Sequence, residues 1–100
     1  MAKIKSKKNI KKHRITFSLN SPNAETVILM GDFNHWSPKK HLMKKDGNGV
    51  WKKTVMLAPG DYEYKFLVDG QWQTDPQNVH TCPNCFGTFN NVFNLTESSS

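Results

Sequence analysis

The chain has 100 residues, a formal net charge of +6 and two cysteines. This length supports one domain with a single hydrophobic core, but not a core together with a deep, enclosed catalytic pocket. Seven of the 14 basic residues precede Ile15, whereas from Ile15 onward seven basic residues are balanced by eight acidic ones. The positive charge therefore belongs to an N-terminal tail, and the rest of the protein is close to neutral.

Residues 1–13 are predicted to form a basic, disordered tail, because a block of lysines with few apolar residues cannot build a core. The alternative is a segment that binds nucleic acid or an anionic membrane, since lysines gain affinity by releasing counterions from phosphates. The tail lacks the apolar run of a secretory signal, and no stretch reaches transmembrane length. We therefore expect a cytoplasmic protein without a transmembrane segment.

The first half of the sequence after the tail predicts a series of short strands. Residues 15–20 alternate between apolar and polar, which is typical of a half-buried strand. Residues 25–30 are apolar on both faces from Val27 onward, so we expect this second strand to be central in its sheet. Residues 42–45 are a weak strand candidate, and DGNG at 46–49 predicts a hairpin to a partner strand at 50–57.

The second half shows the clearest alternation. Even-numbered positions from 62 to 68 are apolar, so Lys65 points away from the core. The Asp-Gly pair at 69–70 predicts a tight turn to a strand at 71–75, and the long irregular loop expected at 76–87 indicates a binding role. In the last strand Asn91 shares a face with aromatic residues, which leaves Asn90 facing outward like Lys65.

This succession of short strands predicts an all-β protein, an immunoglobulin-like antiparallel β-sandwich of about six to eight strands over residues 14–96. Residues 97–100 are predicted to be a frayed C-terminus. The chain lacks the Cys, Trp and Cys framework of antibody-like domains. The sequence therefore favours the sandwich architecture without an antibody-like role.

The three tryptophans are predicted to have two roles. Trp51 continues the alternation of its strand, so we interpret it as structural. Trp36 lies outside a strand and Trp72 follows a hairpin turn, so these two are candidate ligand platforms, with membership of the core as the ordinary alternative. Lys65 and Asn90 are, taken singly, typical solvated side chains. Beside two indoles, a cationic donor and an amide suit sugar rings, which stack through C–H faces and hydrogen-bond through hydroxyls.

No motif points to catalysis. The acidic residues are not placed as the paired carboxylates of glycoside hydrolysis, and the chain contains neither a nucleophile triad motif nor a glycine-rich phosphate loop. We therefore predict a protein that is not an enzyme and uses no cofactor.

Cys82 and Cys85 form a CxxC motif for which three interpretations stay open. They are two reduced thiols in a loop, a local disulfide, or a weak candidate metal site with His80. A zinc site needs four ligands, and only His80 lies close in sequence. A redox CxxC usually opens a helix, and no helical pattern follows Cys85. The motif by itself predicts no metal.

Five motifs occur in order between residues 15 and 95: GDFNHW at 31–36, PGDYEYKF at 59–66, VDGQW at 68–72, DP at 75–76 and GTFNNV at 87–92. Together they resemble carbohydrate-binding module family 48. That family includes the glycogen-binding domain of the AMP-activated protein kinase β subunit and the N-terminal domains of isoamylases and glycogen branching enzymes. The resemblance implies an immunoglobulin-like sandwich that binds α-1,4-linked glucans such as glycogen, starch and cyclodextrins.

The resemblance also implies roles for six residues. Trp36 and Trp72 would be the stacking platforms, and Lys65 and Asn90 the hydrogen-bonding residues. Thr88 would add a supporting contact, and Phe86 would be a loop side chain that presses on the glucan. The departures from the family pattern are the CxxC before Phe86 and His35 beside Trp36. The predicted partner is an α-glucan. The alternatives are a targeting or regulatory role for a separate glucan-active enzyme or kinase, and polyanion binding through the tail.

Overall fold

In a computed structural model that describes residues 11–96, the chain forms eight strands and a 3-10 turn, Asp32–Asn34. The strands in chain order are β1 His13–Asn20, β2 Val27–Gly31, β3 Lys44–Lys45, β4 Val50–Leu57, β5 Gly60–Val68, β6 Gln71–Gln73, β7 Thr81–Pro83 and β8 Phe89–Leu95. β1 begins at the last residue of the predicted tail, whose residues 1–10 lie outside the described residues, as does the predicted frayed end at 97–100.

The strands form two antiparallel sheets. The first sheet has the order β1-β4-β3, and the second has the order β2-β5-β8-β7 with β6 also paired to β5. The predicted all-β antiparallel sandwich is confirmed, at the upper end of the predicted strand number. Among residues 11–96 there is no helix long and apolar enough to cross a membrane.

The core lies between the two sheets. It is built from alternate strand residues, of which Phe66 and Leu29 are fully buried, and Phe17 packs edge-on against Tyr64 with ring centroids 4.8 Å apart. Burial of each such side chain contributes about 1.5–3 kcal/mol. Trp51 belongs to this core, with 6% of its surface exposed and its indole N–H donating to the Ser21 carbonyl at 2.8 Å. Its predicted structural role is confirmed.

Two predictions about strand placement were wrong. β2 is not central: it is the last strand in the order of its sheet, and its apolar outer edge is covered by residues 41–43, through bonds from the Leu29 amide to the His41 carbonyl and from the Met43 amide to the Val27 carbonyl. The loop at 76–87 is not wholly irregular, because it contains β7, which pairs with the start of β8. Local hydrophobic pattern does not reveal either long-range pairing.

The hairpin between β5 and β6 turns through two residues with positive φ, Asp69 at 48° and Gly70 at 84°. The Asp69 carboxylate accepts hydrogen bonds from the Thr26 amide at 2.8 Å and the Glu25 amide at 2.9 Å. These two bonds lower the pKa of Asp69. The predicted tight turn is present, and its carboxylate ties the hairpin to the entry of β2.

Candidate functional site

All six residues predicted as binding residues line one cavity of about 570 Å³, called the groove below. It lies on the outer face of the second sheet, because Lys65 has the opposite parity on β5 to the core residues Tyr64 and Phe66. The six are Trp36, Lys65, Trp72, Phe86, Thr88 and Asn90, and the cavity is completed by Glu63, Asn84 and Cys85. Residues from four separate parts of the chain therefore converge on one surface.

Trp36 and Trp72 lie side by side in the groove. Their ring centroids are 6.2 Å apart and their planes are inclined by 65°. Trp72 is 52% exposed, which is unusual for so large an apolar side chain. Two indoles set at an angle offer apolar faces to successive rings of a curved ligand.

The carboxylate of Asp32 fixes the position of Trp36. One oxygen accepts a bond from the indole N–H of Trp36 at 3.2 Å, and the other accepts a bond from the Glu63 amide of β5 at 2.9 Å. A side chain at Gly31 would place its Cβ 2.6 Å from the Glu63 carbonyl oxygen. Glycine there lets the turn approach β5 closely, so the platform is attached to the sheet.

Asn34 fixes the turn itself. This residue is buried, its Oδ1 accepts a bond from the Gly31 amide at 3.1 Å, and its Nδ2 donates to a β2 carbonyl at 2.9 Å and to His41 Nδ1 at 2.8 Å. The acceptor role of Nδ1 requires a neutral His41 ring. Burial, together with the charges of Lys53 and Lys40, lowers the pKa of His41. The neutral ring supports the turn that carries Trp36.

Lys65 is the most unusual side chain of the groove. It is only 6% exposed, its ammonium donates to Thr88 Oγ1 at 3.2 Å, and it lies 5.9 Å from the ring centre of Trp72. Within the described part of the chain no carboxylate lies within 4.0 Å of it. An ammonium has three donors and buried charge needs polar partners. Lys65 therefore retains donor capacity for oxygen atoms of a ligand.

Asn90 and Asn84 form a chain of hydrogen-bonded amides in the lining of the groove. Asn90 Nδ2 donates to Glu63 Oε1 at 3.1 Å, and its Oδ1 accepts a bond from Asn84 Nδ2 at 2.9 Å. Asn84 Oδ1 also accepts bonds from the Phe86 amide at 2.9 Å and the Thr88 amide at 3.1 Å. Asn84 thereby shapes the loop that presents Phe86, whose ring is 84% exposed.

Sequence reasoning missed Asn84, Glu63 and Asp32. Asn84 lies inside the CxxC motif, and an asparagine two residues before Phe86 can bond the following amides in a turn, which is a signal that could have found it. No motif predicts a role in binding for Glu63 or Asp32. The bonds from Asn90 to Glu63 and from the Glu63 amide to Asp32 join residues 27 and 31 positions apart, so no sequence signal reveals them. The bond from the Trp36 indole to Asp32 spans only four residues, and an acidic residue that close before an exposed tryptophan is a signal that could have found it.

A buried polar network anchors the segment between β6 and β7. Asn91 is fully buried; its Oδ1 accepts a bond from the Asp75 amide at 2.6 Å, and its Nδ2 donates to the Asn78 carbonyl at 3.0 Å. The Tyr64 hydroxyl donates to Asp75 Oδ2 at 2.8 Å, and burial raises the pKa of Tyr64, which keeps that proton in place. The loop leading to the groove is thus held to the sheet by Asn91 and Tyr64.

The two cysteines are free thiols. Burial and the nearby carboxylate of Glu63 raise the pKa of Cys82, whereas Cys85 is exposed and lines the groove. Among residues 11–96 no three His, Cys, Asp or Glu side chains are grouped to hold a metal ion. The weak metal candidate of His80, Cys82 and Cys85 is therefore not assembled.

Comparisons with known proteins relate the chain to one family and to several curated proteins. The family model described as the glycogen recognition site of AMP-activated protein kinase matches residues 12–100. "Protein PTST homolog 2, chloroplastic" of Arabidopsis thaliana is 50% identical over 62 residues, which make up 61% of this chain and 12% of that protein. The 5'-AMP-activated protein kinase subunit beta-2 of Homo sapiens is 36% identical over 78 residues, or 78% of this chain and 28% of the subunit.

A 1,4-alpha-glucan branching enzyme of Rhodopseudomonas palustris is 43% identical over 56 residues. These residues make up 56% of this chain and 8% of the enzyme. The chain therefore spans less than a third of the length of each of these curated relatives.

Proposed function

The chain belongs to the family of the glycogen recognition site of AMP-activated protein kinase, and we propose that its groove binds neutral α-1,4-linked glucans such as glycogen and starch without converting them. The observation that carries this proposal is the convergence of two inclined indoles on a buried lysine with unused donors. Apolar faces and hydroxyl-seeking donors at one surface match the two chemical faces of a sugar ring.

Stacking supplies most of the attraction in this account. Each part of an indole face removed from water contributes about 25 cal/mol per Å². Hydrogen bonds from Lys65 and Asn90 add little net free energy, because the sugar exchanges water for protein, but they fix the position and orientation of the rings. Ordering the flexible glycosidic linkages opposes binding. We expect an affinity of about −4 to −8 kcal/mol, in the millimolar to micromolar range.

The charges of the groove support binding rather than hydrolysis. Glu63 is the only carboxylate that lines it in the described part of the chain, and its Oε1 is hydrogen-bonded to Asn90. Glycoside hydrolysis uses two carboxyl groups on opposite sides of the bond that is cleaved. We therefore assign the groove a role in recognition.

A module of this kind can bring a catalytic partner to its polymer. The relatives include a kinase subunit and a glucan branching enzyme, both far longer than this chain. We propose that the module directs a separate glucan-active enzyme or kinase to the glucan surface. Cosedimentation of such a partner with starch granules, only in the presence of this protein, would support that role.

Calorimetric titration with maltoheptaose tests the binding function. We expect saturable binding that changes little between low and high salt, because stacking on neutral rings releases no counterions. Absence of heat and of any change in tryptophan emission at millimolar sugar would contradict the proposal.

The polyanion alternative rests on the seven basic residues that precede Ile15. Removal of residues 1–12 should leave the affinity for maltoheptaose within about twofold, and should abolish any binding to RNA or to anionic vesicles. A large loss of glucan binding, with polyanion binding unchanged, would show that the tail and the groove have the opposite roles.

A further inference from the structure

The CxxC motif places both cysteines of the chain at the groove. Cys82 lies in β7 directly opposite Asn90, and residues opposite one another on paired strands project to the same face of a sheet. Cys82 therefore lies on the face that carries the groove. Cys85 follows β7 and lines the groove itself, and it is exposed, whereas Cys82 is partly buried. The motif thus borders the binding surface, and no role has been assigned to it.

Asn84 lies between the two cysteines, and its side chain fixes three of the predicted binding residues. Its Nδ2 donates to Thr88 Oγ1 at 2.8 Å and to Asn90 Oδ1 at 2.9 Å. Its Oδ1 accepts bonds from the Phe86 amide at 2.9 Å and the Thr88 amide at 3.1 Å. A change of backbone conformation between the two cysteines would therefore reach the groove directly.

The pairing of β7 keeps the two thiols apart. Pro83 pairs with Phe89, and the Asn84 amide donates to the Thr88 carbonyl at 2.9 Å, so the chain stays extended through Asn84. An extended chain separates Cα atoms three residues apart by about 10 Å, because each residue adds about 3.3 Å. A disulfide needs Cα atoms about 4.4–6.8 Å apart. Formation of a disulfide between the two cysteines therefore requires the end of β7 to leave its pairing with β8.

We propose that Cys82 and Cys85 are a thiol-oxidation site, at which formation of a disulfide weakens glucan binding by the groove. The inference rests on the proposed function of the groove. The oxidant is a small disulfide such as oxidised glutathione, which the thiolate of the exposed Cys85 attacks first, releasing one glutathione thiol. Cys82 then attacks the mixed disulfide and releases the second. Two S–H bonds are replaced by one S–S bond, and the two electrons and two protons reduce the oxidant to two thiols.

Closure of the disulfide displaces Asn84, because this residue lies between the two cysteines that the bond draws together. Its bonds to the amides of Phe86 and Thr88 are then lost, so the loop no longer holds the Phe86 ring at the groove. Trp36 and Trp72 belong to other segments of the chain and stay in place. The oxidised groove therefore keeps its indole pair and loses the contacts supplied by the loop.

Calorimetry with maltoheptaose on reduced and oxidised protein tests this site. The protein is treated with oxidised glutathione and freed of excess reagent, and its intact mass is checked for the loss of two hydrogen atoms that marks an internal disulfide. Oxidation should weaken binding by about tenfold or more, because an aromatic contact and the neighbouring hydrogen bonds are lost together. Dithiothreitol should restore the affinity. The matched control, Cys82→Ser with Cys85→Ser, has no thiol, so the same treatment should leave its own affinity unchanged.

An internal disulfide with the affinity of the reduced protein would overturn the thiol-oxidation site while leaving the groove intact. A protein that stays reduced, or that carries only attached glutathione, would overturn it as well. An equal loss of binding in the double variant would do the same, because the reagent would then act elsewhere. If the reduced wild-type protein bound no maltoheptaose, both the thiol-oxidation site and the proposed function would be overturned.

Discussion

Trp51 and Trp72 show what distinguishes a core tryptophan from a candidate platform. Both lie on strands and both have a lysine ammonium near the ring, Lys45 at 5.5 Å and Lys65 at 5.9 Å. Trp51 is 6% exposed and its N–H is bonded to the Ser21 carbonyl, whereas Trp72 is 52% exposed and faces a second indole. A nearby cation is therefore not the mark of a sugar platform. Exposure of the ring and convergence with other unoccupied groups distinguish it.

The largest expected effect is the loss of stability when the core tryptophan is replaced by alanine. Trp51→Ala should lower the free energy of unfolding by about 3–5 kcal/mol, as expected for truncation of a core aromatic. Trp72→Ala and Trp36→Ala should leave it nearly unchanged and weaken glucan binding by about 1–3 kcal/mol. Urea denaturation and calorimetry on the same three proteins separate the two effects. A stable Trp51→Ala protein, with wild-type affinity in the other two, would show that the tryptophans were assigned wrongly.

The neighbours Asn91 and Asn90 extend the comparison to amides. Asn91 is fully buried and bonds the Asp75 and Asn78 backbone, so Asn91→Ala should cost about 1–3 kcal/mol of stability through unsatisfied partners. Asn90→Ala should act mainly on glucan binding. Denaturation and glucan-binding measurements on both variants test these two roles. If the Asn90→Ala protein is less stable than the Asn91→Ala protein, the assignment of Asn91 to stability and Asn90 to binding is contradicted.

The Lys65→Gln variant distinguishes a hydrogen-bonding role of this lysine from a bulk electrostatic role. If Lys65 acts by hydrogen bonding, the variant should bind maltoheptaose more weakly than the wild-type protein, by about 0.5–1.5 kcal/mol, at low and at high salt. A bulk electrostatic role would be screened by salt in the wild-type protein. If raising the salt concentration alone reproduced the loss seen in the variant, the hydrogen-bonding role would be contradicted.

The smallest expected effect is a dependence of stability on pH. Because the pKa of His41 is lowered from 6.5 in the folded state, the unfolded chain binds more protons as the pH falls through that value. Stability should therefore decrease on acidification from about pH 7 to about pH 5. In His41→Gln, which keeps an acceptor for Asn34, that decrease should be smaller in denaturation curves. An identical pH dependence in variant and wild type would remove His41 as a cause.

Local pattern predicted much of this arrangement. The alternation of residues 62–68 and 89–95 gives the faces of Lys65 and Asn90, and the Asp-Gly pair gives the tight turn before Trp72. The burial of Lys65 could not be predicted, because it depends on contacts with Thr88 and Trp72 that strand pairing brings together. The role of Asn84 also depends on contacts across the loop. β7 was missed because three residues ending in proline carry too little strand signal.

The indole N–H signals of the three tryptophans in a ¹⁵N–¹H correlation spectrum test the central claim most directly. Alanine variants assign each signal, and maltoheptaose is then added to the wild-type protein. If the groove binds the glucan, the signals of Trp36 and Trp72 should shift together along one saturable curve. The signal of Trp51, whose N–H is bonded to the Ser21 carbonyl inside the core, should stay in place. A saturated sugar titration in which neither groove signal moves would contradict the claim that the two indoles bind the glucan.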